Sequence, residues 1–504
     1  MALEIMGAGE SVLLTGPAGS GKTYVLNKFI RRAKQEGKRV AVTATTGLAA
    51  THLNGTTIHA WSGIGIADKL PGDFAERLSK GRRDIIISTD ILIIDEVSML
   101  HDFRLDMVDQ VARKVRGSDA PFGGIQIILC GDFFQLPPIN RDRDSESSFV
   151  VNSSVWHDLQ PVVCYLGEQH RQDDDDLLDI LSAIRDGDVR RNHAEKLLTR
   201  QNADLGEIGE VTELHTTNVD VDSINNQRLA EIAGEEHVYH MQTTGKASYV
   251  ENLMRSCLGV EDLVLKKGAL VMCIKNSPER KYANGSLGTV TGFEALTDYP
   301  EVTLKNGRVL VIKPETWELR DGDKKRAGLT QIPLRLAWAI TVHKSQGMTL
   351  DGARVDLRRA FVEGMGYVAL SRVRNLETLS LVGINNMALR VSPVALEIDS
   401  TLRKASAREA KRFEHLRELA AKRPKVEAKT YTPGSWSEKL AKMRQKYPNA
   451  YTPWTEDDDK RLVDAFSSGK KISVKELTQS FGRHPGSIRA RLEKHFGEDA
   501  VALK

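Results

Sequence analysis

The chain is poor in several features that would have pointed elsewhere. Its 504 residues include only four cysteines, Cys130, Cys164, Cys257 and Cys273, far apart and without metal-like pairing. That excludes a disulfide framework and a zinc site and suits a reducing compartment. No stretch offers eighteen uninterrupted apolar residues. The best run, 84–100, is broken by Asp90 and by Asp95-Glu96, which excludes a membrane-spanning helix and a membrane partner. The start, MALEIMGAGES, lacks both a basic n-region and an Arg/Ser-rich amphipathic stretch, so no export or transit signal is expected. With 40% hydrophobic residues and 16 prolines against 40 glycines, neither a collagenous nor a largely disordered chain fits. What remains is a globular chain too long for one core, divided into two to four domains.

Net charge is only +3, but it is unevenly spread. Residues 401–504 carry 24 Lys/Arg and 14 Asp/Glu, whereas residues 1–400 carry 47 and 54. An acidic body of −7 with a basic tail of +10 hints at a polyanionic partner. Along the first 165 residues, short apolar runs alternate with helical patterns. Strands are expected at 11–15, 39–43, 91–94 and 125–130, with helices at 22–34 and 102–113, which is the rhythm of βαβ units and a parallel sheet. A second α/β region is expected from strands near 212–215, 354–357 and 378–382. Between its parts, 262–320 is β-rich, with a hairpin expected where 302–304 and 309–311 flank Asn306-Gly307. Residues 401–430 read as a solvated charged helix leading into a linker.

The strongest local signal is Gly16-Pro17-Ala18-Gly19-Ser20-Gly21-Lys22-Thr23, placed between a strand and a helix. Such a P-loop curls so that backbone N–H groups and a helix N-terminus face phosphate oxygens. Lys22 would reach the β- and γ-phosphates and Thr23 would ligate Mg²⁺. Asp95-Glu96, leaving the strand at 91–94, supplies a carboxylate for Mg²⁺ and a neighbour to polarise water. Gln135, in GDFFQLPPI, follows a strand whose C-terminal end shares that edge and can orient the water. Arg171 in EQHRQ and Arg372 in YVALSRVRN are candidates to clamp transition-state charge. The acids Asp173–Asp176 precede an apolar-periodic stretch and read as a helix's first turn rather than a metal site.

Taken in order, GPAGSGKT, VTATTGLAATHLNGTTIHAWSGIG, DEVSML, PFGGIQIILCGDFFQLPP, HRQ, NGSLGTV, AITVHKSQGMTLD and GYVALSR closely resemble the Pif (petite integration frequency) family of superfamily-one DNA helicases, relatives of the RecD group. The resemblance spans about residues 1–400. It implies an α/β fold with two RecA-like P-loop domains carrying parallel sheets, ATP between them, and a small inserted SH3-like β-barrel. Expected boundaries are 1–165 for the first domain, with a wedge-like insert near 54–68; 166–240 and 332–400 for the second; and 241–331 for the barrel. It implies 5′→3′ movement on single-stranded DNA, with forked or structured DNA as substrate and roles in replication, repair or recombination. It makes Lys22 and Thr23 phosphate and magnesium ligands, Asp95 and Glu96 the magnesium-and-base pair, and Gln135 the γ-phosphate sensor. Arg171 and Arg372 become the arginines presented to the γ-phosphate. A nucleoid-associated cytoplasmic protein, monomeric without DNA, is expected.

Segments 43–46, 56–61 and 341–346 match positions that hold the DNA strand in this family. Thr45, Thr46, Thr57, Thr341 and Ser345 would offer donors to phosphates, His59 and Trp61 would offer rings for stacking, and His343 and Lys344 would add donors and charge. Taken alone, such threonines and serines cap helices and form turns, and Trp61 reads as a core residue. The family's adenine-reading glutamine motif has no counterpart before Gln35, which leaves a shortened start, or adenine held by stacking and shape.

After a charged segment, 401–449, residues 450–497 read as three short helices at 456–467, 474–480 and 485–495. Leu462, Phe466, Leu477, Phe481, Ile488, Leu492 and Trp454 are their expected core. The pattern resembles Myb-like helix-turn-helix modules, whose last helix would here present Arg489 and Arg491, with Lys494, to DNA. A protein-docking three-helix unit with a solvated basic face is the other reading. For the whole chain, the alternatives to a DNA helicase are an ATP-switched DNA-binding regulator and an RNA helicase.

Overall fold

The computed structural model describes every residue except 54, 66–67, 139–147, 173, 206–210, 257–258, 278, 280, 283, 305–306, 322–323, 417–446, 450–455, 468–473, 484 and 497–504. It divides into two compact units, residues 1–422 and 423–504.

The larger unit begins with a six-stranded sheet. Its strands run in the order Thr56–Thr57, Val40–Ala44, Ile91–Asp95, Gln126–Gly131, Val12–Thr15 and Val162–Tyr165. Every pairing is parallel. The central strands are apolar almost throughout because helices cover both faces. Leu13, Leu92, Ile94, Ile127 and Leu129 face one core, while Val12, Leu14, Ile91, Ile93 and Ile128 face the other. Period-two alternation thus splits each strand between two hydrophobic layers. The expected strands and the helices Lys22–Gln35 and Asp102–Arg116 are present, with Thr56–Thr57 and Val162–Tyr165 added at the two edges.

The second sheet of the unit is also parallel, ordered Ala339–Thr341, Thr212–His215, Ala353–Leu357 and Leu379–Ile384. Between its parts lie antiparallel strands. Five of them, Val309–Val311, Pro300–Leu304, Leu287–Phe293, Leu270–Cys273 and Leu334–Leu336, form one sheet. The expected hairpin is its outer edge, with Val302 opposite Leu310. Three more strands, Gln242–Gly245, Glu315–Asp321 and Lys324–Gln331, form a separate sheet. The antiparallel part is wider than 241–331: His237–His240 pairs with Asp262–Leu265, and Leu334–Leu336 joins the five-stranded sheet.

Helix Pro393–Arg412 departs from the expected solvated linker. It buries Ala395, Asp399 and Leu402, and Phe413 just beyond it enters the core of the first sheet. Ser406 Oγ accepts from the Tyr165 amide at 3.1 Å, so the helix is held against that sheet's edge strand. Its charged residues hid a single buried stripe.

In the smaller unit, helices Glu456–Ser467, Val474–Phe481 and Pro485–Phe496 enclose Leu462, Phe466, Leu477, Phe481, Ile488 and Leu492, six of the seven expected core residues. The seventh, Trp454, lies outside the described residues. Cys130, Cys164 and Cys273 are buried free thiols, and Cys257 is likewise outside the described set. Among the described residues, no helix is long and apolar enough to cross a membrane.

Candidate nucleotide and nucleic-acid site

The first parallel sheet delivers its chemistry at the carboxyl ends of its strands. Val12–Thr15 runs into the P-loop, and Lys22 opens the following helix. Gly16 and Gly19 are required there. Gly16 has φ +145° and a Cβ would sit 2.2 Å from the Leu166 carbonyl oxygen; Gly19 has φ +81° and a Cβ would sit 2.6 Å from Arg171 Cβ. Lys22 Nζ donates to the carbonyls of Gly16 and Pro17 at 2.8 and 2.9 Å. These are positions an incoming phosphate would compete for. Ser20 Oγ is buried without a partner.

Asp95 ends its strand and Glu96 follows in the left-handed region, φ +54°. For a non-glycine residue this costs energy and marks a position held for function. Burial pushes the Asp95 carboxyl up. Burial, and then the neighbouring Asp95 charge, push Glu96 up to about 7. An acid poised there can take a proton from water at neutral pH. Gln135 is 7% exposed, with its Nε2 3.5 Å from Asp132 Oδ2 and its Oε1 unpartnered.

Both arginines face the same space. Arg171 Nη1 donates to the Ser371 carbonyl at 3.1 Å. Arg372 is 1% exposed and donates to the carbonyls of Val368, Ser345 and Met348 at 2.7, 3.1 and 3.2 Å, and to Ser371 Oγ at 2.6 Å. Burial, reinforced by the like charge of Arg171, lowers Arg372 to about 9. A buried cation holding only neutral acceptors is suited to receive an anion. One cavity of about 290 Å³ joins Ala18 to Thr23, Glu96, Gln135, Arg171 and Arg372. The hydroxyl of Thr23 and the Asp95 carboxylate are hard oxygen donors that fit magnesium. Among the described residues, no group of three or more His, Cys, Asp or Glu could hold a metal alone, so water and phosphate oxygens would complete its shell.

A buried network absent from the sequence reading lies beneath this cavity. Tyr367 Oη accepts from the Ala18 amide at 2.9 Å and donates to Asp132 Oδ2 at 3.1 Å. Arg185 pairs with Asp132 at 2.7 Å and with Asp399 at 3.0 Å, and lies 4.2 Å from the Phe134 ring centroid. Although burial opposes it, the Arg185 charge keeps the Asp132 carboxyl below its ordinary range. Tyr367 and Asp132 sit inside GYVALSR and GDFFQ, so their motifs could have drawn attention. Arg185 and Asp399 carry no comparable local signal.

The segments expected to hold a strand are mixed. Thr46 Oγ1 accepts from the Ala49 amide and Thr57 Oγ1 from the Ala60 amide, both at 3.2 Å, the capping role their residue types also allow. His59 is driven down to about 4 by burial and by Arg104. Trp61 does not present a stacking ring: it is 2% exposed, packed in the main core. Its large apolar surface is better buried than its ring is displayed. Ser345 is fully buried and donates its hydroxyl to the Val342 carbonyl at 2.8 Å, so that hydroxyl is not a phosphate donor. Thr341 is 4% exposed and accepts from the Lys344 amide at 3.3 Å. Thr45 Oγ1 donates to the Glu96 carbonyl at 3.1 Å. His343 is pushed down by burial and stacks near Phe361, ring centroids 6.3 Å apart. Phe361 is 61% exposed, an accessible ring that sequence reasoning missed. Lys344 Nζ donates to Asn218 Oδ1 at 3.0 Å.

The acidic run behaves as a helix start. Asp174 caps Asp175–Arg185, accepting from the Asp176 amide at 2.8 Å, and Asp173 is outside the described residues. In the small unit, Arg491 pairs with Asp459, and Arg483 with Asp458 at 2.9 Å. The side chain of Arg489 lies outside the described set.

A family model described as PIF1-like helicase matches residues 3–195. The ATP-dependent DNA helicase Pif1 of a Psychrobacter species is 40% identical over 478 residues, covering 82% of this chain and 72% of that protein. The chain belongs to the PIF1-like helicase family. It spans about three fifths of the length of its Xenopus laevis and human relatives, each an ATP-dependent DNA helicase PIF1. The crystal structure of the Pif1 helicase from Candida albicans aligns with a TM-score of 0.71 at 32% identity, covering 80% of this chain and 98% of that one. The Bacteroides Pif1 helicase in complex with ADP-AlF3 and single-stranded DNA aligns at 0.62 and 31%, covering 80% and 96%. Membership explains why the two parallel sheets and the cavity between their loops occur together in one unit.

Proposed function

We propose that the chain is an ATP-dependent DNA helicase that moves 5′→3′ along single-stranded DNA and opens forked or structured duplexes. The observation that carries this is the single cavity where Lys22, Glu96 and Gln135 of one sheet meet Arg171 and Arg372. Backbone amides of the P-loop and Lys22 bind the phosphates, and Lys22 gives up its loop carbonyls to do so. Magnesium held by Thr23 and Asp95 neutralises phosphate charge when bound. Glu96 accepts the proton of the attacking water, Gln135 orients that water, and the two arginines stabilise charge as it develops. Along the strand groove, Lys344 with His343 and Phe361 offers charge and rings, contacts that tolerate any base. The antiparallel sheet of 270–336 is read as the inserted SH3-like domain, and the three-helix unit as a Myb-like appendage. We assign the working form as a monomer in the absence of DNA, and a nucleoid-associated location. The Bacteroides relative's complex supports both the nucleotide and the strand assignments.

The test is ATP hydrolysis with no nucleic acid, with single-stranded DNA and with RNA of the same sequence. A rate raised many-fold by DNA supports the reading. Slow turnover indifferent to any strand would favour a nucleotide-switched regulator, and equal stimulation by RNA would favour an RNA helicase.

A further inference from the structure

The turn after strand Ala339–Thr341 faces two ways. Its early residues, His343 and Lys344, carry the imidazole and amine assigned to the strand groove. Its later part reaches the nucleotide cavity, where Arg372 Nη1 grips the carbonyls of Ser345 and Met348. Between them, Gln346 is 7% exposed, and its Nε2 donates to Glu96 Oε2 at 3.0 Å. Thr45, on the other strand-holding segment, donates to the Glu96 carbonyl at 3.1 Å, and its amide donates to the Asp95 carbonyl at 3.2 Å. Glu96 is therefore held at its backbone by one strand segment and at its carboxylate by the other.

We propose that Gln346 is the positioning residue through which an occupied strand groove acts on Glu96; the inference rests on the helicase reading above. With the groove empty, the carboxamide occupies one carboxylate oxygen and fixes the side chain in one orientation. A hydrogen bond of this kind is lost once the atoms part beyond about 3.5 Å. Strand contacts at His343 and Lys344 need shift the turn by well under an ångström to release it. The released Glu96 is free to take the water's proton, so the chain idles without a strand and hydrolyses with one. Arg372, gripping the same turn, moves with it.

The experiment uses the full chain carrying Gln346→Met, a side chain of equal length without the amide. ATP hydrolysis is measured with no DNA and with saturating oligothymidylate, and oligothymidylate affinity is measured without nucleotide. The expected result is a DNA-free rate raised about fivefold and a stimulation ratio reduced by about the same factor, with strand affinity within about twofold of wild type. A merely structural role would lower both rates together and preserve their ratio. An unchanged or lowered DNA-free rate overturns the inference, and so does a parallel loss of strand affinity. If Gln346→Met does not fold, Gln346→Asn, one methylene too short to reach Glu96, must give the same rise, and a wild-type rate overturns the inference. Wild-type hydrolysis that oligothymidylate leaves unstimulated would remove the helicase reading and this link with it, an outcome seen before any variant is made.

Discussion

The nucleotide cavity and the C-terminal three-helix unit both concentrate polar side chains, but their arginines are held by different partners. In the cavity, Ser20 Oγ and Gln135 Oε1 are buried without partners, and Arg372 holds only neutral acceptors and faces the open pocket. In the small unit, two arginines with described side chains pair with that unit's own acids, Arg491 with Asp459 and Arg483 with Asp458. Buried polar groups cost energy unless something satisfies them, so groups left waiting mark where a ligand is due. Groups already paired hold their own fold together. Positive charge in the sequence is therefore a weaker guide to binding than an unmet hydrogen bond in the structure.

The largest effect is expected at Lys22. Lys22→Ala should lower strand-stimulated ATP hydrolysis by at least about a thousandfold, about 4 kcal/mol of barrier, with the circular dichroism of the folded chain retained. Survival of the activity in a clean preparation would refute the P-loop assignment. Next in size is Arg185→Leu, which leaves Asp132 and Asp399 buried without their shared cation. It should cost about 3 kcal/mol or more of stability, read as a lowered denaturant midpoint. A midpoint within error of wild type would show that the network beneath the cavity is not structural.

Glu96→Gln sharpens the contrast through pH. Burial raises the folded-state pKa of Glu96 to about 7, above the roughly 4.3 of an unfolded glutamate. The folded chain therefore binds that proton more tightly. The stability it contributes is full below the unfolded value and is lost as pH rises through about 7. Between pH 5 and pH 8, the wild-type unfolding free energy should fall further than that of Glu96→Gln, by about 2–3 kcal/mol, with a matching difference in the Tm profiles. The same substitution should retain nucleotide binding and abolish turnover. Parallel Tm profiles would mean that Glu96 is an ordinary surface acid. The smallest effect belongs to the small unit, where Asp459→Asn should cost about 1 kcal/mol because the pair is only half-buried at that unit's surface. Ending the chain at residue 422 should leave ATP turnover within about twofold of wild type and reduce strand affinity only modestly, with a shallower salt dependence. A collapse of turnover would show that the small unit belongs to the motor.

Much of the cavity was legible because its signals are local. A P-loop, an acidic strand end and a glutamine after the next strand follow from short continuous apolar runs and their boundaries. The six core positions of the small unit follow from helical spacing in the same way. What escaped depends on partners distant in sequence. Trp61 gained a stacking role only through the family resemblance; its residue type alone pointed to the core it shares with Ile86, Leu105 and Val108, partners that no local pattern names. The Asp132–Arg185–Asp399 network joins residues 53 and 214 positions apart. Helix Pro393–Arg412 looked solvated because a buried stripe of Ala395, Asp399 and Leu402 is too thin and too polar to stand out.

Directional unwinding separates a 5′→3′ helicase from every other reading of the cavity. Duplexes bearing either a 5′ or a 3′ single-stranded tail are incubated with the chain, with and without ATP, and strand separation is followed. A 5′→3′ helicase unwinds the 5′-tailed duplex in the presence of ATP and leaves the 3′-tailed one intact. Unwinding from the 3′ tail alone, or separation that proceeds without ATP, would contradict it.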